Sequence, residues 1–256
     1  MTIEPWQMDQ PELALIDGDL LANRVAFVAK DDDEIPFSTQ QIMKNWMPPG
    51  CTRLRVALSC SREDNYRRDH YPGYKTNRDS SSLPDDQIRR LGLAKALLEE
   101  NYDIAFVPRM EADDLMGVAA SSGKAVAVTL DKDLTSCPGW HYRPSFSYWG
   151  GADEDGIKYQ ITKPALLHRV SRHEADLQFH EQWLAGDPTD GFAGIRGIGR
   201  GKANKYLKDL PPRLWTAACL ALYEAKGYDL EYAEGMAHCA RILRVEDWEM
   251  GYTPHS

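Results

Sequence analysis

No two of the five cysteines (Cys51, Cys60, Cys137, Cys219, Cys239) form a C-x-x-C pair, and their number is odd. That excludes a disulfide framework and a thiolate zinc site, and leaves reduced thiols of the kind expected in a cytoplasmic protein. Nowhere do eighteen apolar residues run together, and the first ten residues, MTIEPWQMDQ, carry no basic leader, so signal and membrane readings both fail. Basic charge is also short: 30 Lys and Arg stand against 39 Asp and Glu, a net charge of -9. Taken alone, that deficit argues against a phosphate-rich partner. The objection holds only if the acids are spread evenly, and they are not.

What the chain does have is 43% hydrophobic residues over 256 positions, enough for a substantial core. Short apolar runs occur at LALI (13–16), LRVALS (54–59), DIAFVP (103–108) and AVAVTL (125–130). Helical patterns separate them, at 19–29, 38–47, 62–70, 85–100 and 111–120. This alternation predicts an α/β fold over residues 1–172, with a mostly parallel sheet flanked by helices. Beyond it the sheet signals stop, and residues 173–256 read as a helical region.

In open parallel sheets, ligands collect at the carboxyl ends of the strands. The acids cluster there: Asp17 and Asp19 after LALI, Glu111, Asp113 and Asp114 after DIAFVP, Asp131 and Asp133 after AVAVTL. Asp187 and Asp190 add a fourth segment. Convergence of these groups would raise their pKa values unless cations neutralise them. Oxygen ligands without His or Cys suit Mg²⁺ or Mn²⁺, and two such ions about 4 Å apart form the clamp used in phosphodiester hydrolysis. Each motif alone has a plainer reading, as a helix-terminal acid or a turn; four together at strand ends do not.

Two basic elements remain. SREDNYRRDHYPGYKTNR (61–78) interleaves tyrosines with Arg and Lys, a composition suited to stacking bases and meeting phosphates on a single strand. GIRGIGRGKANKYL (194–207) is neither a Walker A loop, since Arg196 and Ala203 break the pattern, nor a Rossmann fingerprint, since Asn204 replaces the last glycine. It reads instead as a helix, a tight Gly-Ile-Gly turn and a second helix opening with Arg200, Lys202 and Lys205, able to meet phosphates without reading sequence.

In combination and order, these segments resemble the 5′ nuclease family of flap endonucleases and 5′-3′ exonucleases, above all the short phage-type exonucleases. LIDGDLL, NYRRDHYPGYKTNR, MEADDLMG, TLDKD and GDPTDGFAGIRGIGRGKA are similar to its successive motifs, from Asp17 to about Leu207. The resemblance implies a PIN-like core and metal-dependent cleavage of DNA near a 5′ end or flap, with an RNA-DNA hybrid left open as a further substrate. It places Asp17, Glu111 and Asp113 on a tighter Mg²⁺ or Mn²⁺ and Asp131, Asp133, Asp187 and Asp190 on a second, with Asp114 at or beside them. Lys75 and Arg78 would steer the scissile phosphate, with Arg67 nearby and Tyr74 stacking on the end nucleotide. Residues 62–86 would form a helical gateway. A helix-hairpin-helix at about 176–209, with Gly197, Gly199, Gly201, Arg200, Lys202 and Lys205, would hold the duplex, with K⁺ in its carbonyl turn. A monomer in the cytoplasm is expected, that of the bacterial host if the chain is phage-encoded.

This chain departs from the family pattern at Cys60, where many members carry a metal-site Asp; either Asp64 or Glu63 substitutes from the next turn, or the site manages with fewer ligands and binds its first metal more weakly. Asp19 is expected to cap the following helix. Two competing readings are a haloacid-dehalogenase-like phosphatase built on Asp17, Asp19, Thr129 and GDPTD, and a non-catalytic module recognising branched DNA. The first leaves both basic elements without a purpose, and the second leaves the acid set unexplained.

Overall fold

A computed structural model describes residues 9–78, 83–152 and 158–250. Along the chain the strands are β1 (Leu13–Asp17), β2 (Arg53–Ala57), β3 (Ile104–Ala105), β4 (Val126–Val128), β5 (Gly139–Arg143), β6 (Phe146–Ala152), β7 (Lys158–Lys163) and β8 (Leu166–Val170). Six of them form one sheet in the order β3-β2-β1-β4-β5-β8, parallel except for β8. The four apolar runs are β1 to β4, with β1 central.

Alternation of side chains along a strand sends neighbours to opposite faces, and here both faces are covered. Ala14, Ile16, Val56, Val126 and Val128 pack under α1 (Gly18–Val28) and α2 (Ile35–Trp46), while Leu15, Ala57 and Ala127 face the other way. The segment after the second strand contains only a four-residue helix, α3 (Arg67–His70), where residues 62–70 were expected to be helical. Pro72 explains the stop, because a residue before proline avoids helical geometry and Tyr71 is extended at φ -147°. Of the expected gateway, the described residues contain α3 and a 3₁₀ turn over Thr76–Arg78; residues 79–82 and the Arg78 side chain lie outside the described residues.

α4 (Asp85–Asn101) completes the first layer with Ala94 and Leu98 buried, and α5 (Ala112–Ser121) covers the second face. The helical region starts at α6 (Arg172–Ala185), whose entry is fixed by a Ser171/Glu174 capping box. It continues through α7 (Arg200–Leu207), α8 (Trp215–Ala225), α9 (Leu230–Ala240) and α10 (Val245–Glu249), around a core containing Trp183, Phe192, Trp215 and Tyr223. Tyr74 belongs to this second core, so the segment before it joins the two halves. β6 and β7 form a separate antiparallel ribbon in which Trp149 is 69% exposed. Among the described residues no helix is long and apolar enough to cross a membrane.

Candidate active site

β1 ends on Asp17, and the next residue starts α1. Gly18 is required at that join, because a Cβ there would stand 2.5 Å from Val56 Cγ1 and 2.7 Å from the Ala57 carbonyl oxygen. The helix cap is Asp17, whose Oδ1 accepts from Leu20 N at 2.9 Å; its Oδ2 accepts from the Thr129 hydroxyl at 2.8 Å. Asp19, expected to be that cap, instead accepts from Ser59 N at 2.9 Å and from Lys95 Nζ at 2.6 Å, tying α1 to the end of β2 and to α4. Thr129 also takes the Asp131 N–H at 3.0 Å, which links the loops after β1 and β4.

Glu111 opens α5 in a reciprocal cap with Asp114. Its carboxylate accepts from Arg67 Nη1 at 3.1 Å, from the Tyr74 hydroxyl at 2.9 Å and from Lys75 Nζ. Burial opposes ionisation of Glu111, but Lys75 and Arg67 outweigh it and hold the carboxyl at about 2. Asp17 goes the other way, to about 6, through burial and then the nearby charges of Asp19 and Asp131. Burial also drives Asp113 well above the carboxylate range, reinforced by Asp17 and Asp131. Thus Asp17, Asp113 and Asp131 repel one another across one cleft, whereas Glu111 is already matched by the protein's own cations.

Two adjoining lobes share Asp131 and Asp190. One, of about 490 Å³, is lined by Asp17, Cys60, Lys75, Glu111 and Asp113; the other, of about 560 Å³, by Asp133, Asp187, Gly199 and Arg200. The second lobe depends on the loop 186–194. Gly186 and Gly194 face each other at positive φ, and a Cβ on either would meet the opposing backbone within 2.4 Å. The loop docks on the gateway segment: Lys75 N donates to the Asp190 carbonyl at 2.8 Å, and Asn77 Nδ2 to that of Pro188 at 2.8 Å. Gly186→Ala is expected to open this loop and separate Asp187 and Asp190 from the cleft. Amide exchange of 187–195 measures the opening, and an unchanged exchange pattern would contradict it.

Several expected site residues lie beneath the cleft. Arg67 is 1% exposed and forks onto Asp114 at 2.6 and 2.8 Å, so it cannot meet a phosphate at the surface. Asp114, at 0% exposure, is spent on that fork and on Leu243 N, and does not face either lobe. Tyr74 is 2% exposed with its ring near Phe192, which leaves no face for a nucleotide to stack on. These three form the floor that orients Glu111. Glu63 and Asp64 are exposed and line neither lobe, so neither takes the place expected of it beside Cys60; burial and Glu111 push that thiol up to about 11.

The Gly-Ile-Gly turn is followed by α7 as expected, but no helix runs into it: α6 ends at Ala185, and the loop just described continues without helix to residue 199. Gly197, Gly199 and Gly201 have open space where a Cβ would go, and Lys202 and Lys205 are exposed. Lys202 Nζ donates to the Gly197 carbonyl at 2.9 Å, placing an ammonium where K⁺ was expected, and Arg200 binds Asp133 at 2.8 Å. As the side chains stand, no three of the described His, Cys, Asp and Glu residues are grouped to hold one ion. Lys75 and Arg200 occupy part of the acid set instead. Lys95 and the C-terminal residues Arg241 and Arg244 were not anticipated; single cations on helical patterns carry no signal of what they will touch.

The site is thus an acid-lined double cleft at the carboxyl edge of a mostly parallel α/β sheet, bordered by a lysine and an open glycine turn. The chain belongs to the 5'-3' exonuclease family, matching the model of its N-terminal resolvase-like domain over residues 12–141. A 5'-3' exonuclease of Mycobacterium tuberculosis is 26% identical over 163 residues, which is 57% of this chain and 51% of that protein. An exodeoxyribonuclease of Enterobacteria phage T3 is 27% identical over 215 residues, 75% of this chain and 65% of that protein. The chain therefore spans half to two thirds of the length of these relatives. Among solved structures, the T5 D15 protein co-crystallised with metal ions superimposes with a TM-score of 0.54 at 16% identity, over 90% of this chain and 85% of that one. At that identity the likeness is one of fold.

Proposed function

We propose that the chain hydrolyses phosphodiesters near 5′ ends of DNA, as a 5′-3′ exonuclease or flap endonuclease dependent on divalent ions. The observation that carries this reading is the convergence of Asp17, Asp113 and Asp131 on one lobe, beside Lys75, which lines it too. Carboxylates gathered in one lobe bind cations, and their all-oxygen chemistry fits Mg²⁺ or Mn²⁺. Asp17, Glu111 and Asp113 would hold one ion, and Asp131, Asp133, Asp187 and Asp190 the other. Bound there, the ions supply an activated water and neutralise charge on the phosphate. The chain's own residues do the rest: Lys75 binds the scissile phosphate, and Arg78 ends the 3₁₀ turn that follows it. The open turn at Gly197–Gly201, with Lys202 and Lys205, grips a duplex backbone as a helix-hairpin-helix would, Lys202 supplying the charge that K⁺ would bring. A solved neighbour, the bacteriophage T5 D15 flap endonuclease in a complex with DNA and metal ions, favours this partner. A monomer acting in the cytoplasm, and RNA-DNA hybrids as further substrates, complete the reading.

The test is a 5′-labelled flap duplex incubated with Mg²⁺ or with EDTA. Metal-dependent release of short 5′ products supports the proposal; binding without cleavage leaves the non-catalytic module. Replacing Lys202 and Lys205 with Ala is expected to weaken duplex binding and to lower the slope of log affinity against log salt by about 2, one per lost phosphate contact. An unchanged slope would remove the turn from the interface.

A further inference from the structure

The segment Arg241–Asp247 runs behind the cleft and touches the supports of both acid-bearing turns. The Arg241 carbonyl accepts from Arg67 Nη2 at 2.6 Å, and Leu243 N donates to Asp114 Oδ1 at 3.0 Å. The fork beneath Glu111 is therefore finished by the backbone of this segment. Arg244, at 0% exposure, donates from Nε to the Ser136 carbonyl at 3.0 Å and again from Nη2, while Nη1 pairs with Asp176 of α6. Ser136 closes the 3₁₀ turn that Asp133 opens. Close backbone contact fixes the segment on α5, since a Cβ on Gly117 would stand 2.4 Å from the Leu243 carbonyl oxygen, and Val245 N donates to Ser121 Oγ at 2.8 Å. Asp247 braces it internally, accepting from Arg241 Nε at 2.9 Å and Arg244 N at 2.8 Å.

Fully burying a guanidinium is costly, and an apolar side chain of similar volume often stabilises a fold as well. A planar fork does what an apolar residue cannot: it fixes the direction of two partners at once. Here the partners are the Asp133 turn and α6, which leads into the Asp187–Asp190 loop. The same segment holds the Arg67 fork under Glu111. We infer that Arg244 is a positioning residue that sets the separation of the acids in the two lobes, a role that rests on the nuclease reading above. The family match ends at residue 141, so this support lies outside it.

The test uses the full chain with Arg244→Met and Arg244→Lys, following Mn²⁺ binding by calorimetry, amide exchange over 133–137, and kcat and KM on a 5′ flap. Arg244→Met is expected to weaken Mn²⁺ binding and lower kcat by about 10- to 100-fold, the usual cost of losing a support behind metal ligands, with little change in KM for DNA. Exchange over 133–137 rises in parallel. Arg244→Lys recovers only part, because one ammonium cannot span Ser136 and Asp176 as the fork does. A folded Arg244→Met that keeps wild-type Mn²⁺ affinity, exchange and kcat overturns the inference. If Arg244→Met does not fold, Asp176→Asn decides, since it loosens the fork from one side; unchanged Mn²⁺ affinity and exchange there are equally fatal. Should the wild type bind Mn²⁺ yet cleave no DNA, the nuclease reading fails while the binding and exchange arms still test the positioning.

Discussion

Arg67→Met is expected to lower the thermal midpoint by about 10 °C. The guanidinium is 1% exposed and its partner Asp114 is wholly buried, so removing one leaves the other charged and unpaired in the interior. Breaking a buried pair in this way costs about 3–5 kcal/mol, and in a chain of this size each kcal/mol shifts the midpoint by roughly 2–4 °C. The loss spreads, because Arg67 also donates to Glu111 and to the Arg241 carbonyl. Acid gives a second signature. A carboxyl held at about 2 contributes stability that is complete above its ordinary value of 4.5 and is lost as pH falls toward 2. Arg67→Met removes part of that depression, so its stability should fall less steeply than the wild type's between pH 4.5 and 2. Calorimetric scans across that range measure both effects. A variant within 2 °C of wild type would mean that Asp114 finds solvent or another donor. Arg67→Lys should recover little, since an ammonium cannot reproduce two parallel bonds to one carboxylate.

Residues such as Arg67 mark the limit of what the sequence discloses. The apolar runs that became β1 to β4 are legible because strands covered on both faces must be continuously apolar, and the acids following them lie where a parallel sheet gathers its loops. β5 is less plain: only Trp140 and Tyr142 alternate in Gly139–Arg143, and His141 between them is buried as well. The β6 and β7 ribbon did have a signal, Phe146 and Tyr148 at spacing two before GGADEDG, but without a buried face it resembles a loop. At the site, the types and spacing of residues identify the acid set but not its partners. Nothing local tells that Arg67 turns inward to Asp114 while Lys75, eight positions on, reaches the lobe. Pro72 ends α3 locally, but the division is settled by the dock between Lys75 and Asp190, a contact between segments over a hundred residues apart.

Lys75→Ala is expected to reduce cleavage at saturating DNA and metal by about 10²–10³-fold, the range for losing one preorganised charge at the reacting group. Lys75 adopts φ 55°, an unusual conformation for a residue with a Cβ, and the bond from its N–H to the Asp190 carbonyl holds it there. This geometry sends Nζ to Glu111 Oε1 and to within 3.7 Å of Asp190 Oδ2. Burial disfavours the ammonium, but these two acids raise its pKa, so it is charged throughout the physiological range. Under the proposed function, that charge would compete with a divalent ion for Glu111 in the free protein and would meet the phosphate once substrate is bound. Lys75→Ala should therefore bind Mn²⁺ more tightly while cleaving more slowly, a pairing that damage to the fold would not produce. DNA affinity should change little, because one phosphate contact is lost among several. Single-turnover cleavage and Mn²⁺ titration of the same preparation test this directly. Equal losses in DNA binding and cleavage would reduce Lys75 to a general phosphate contact, and weaker Mn²⁺ binding would show that its ammonium supports the acid set instead of competing for it.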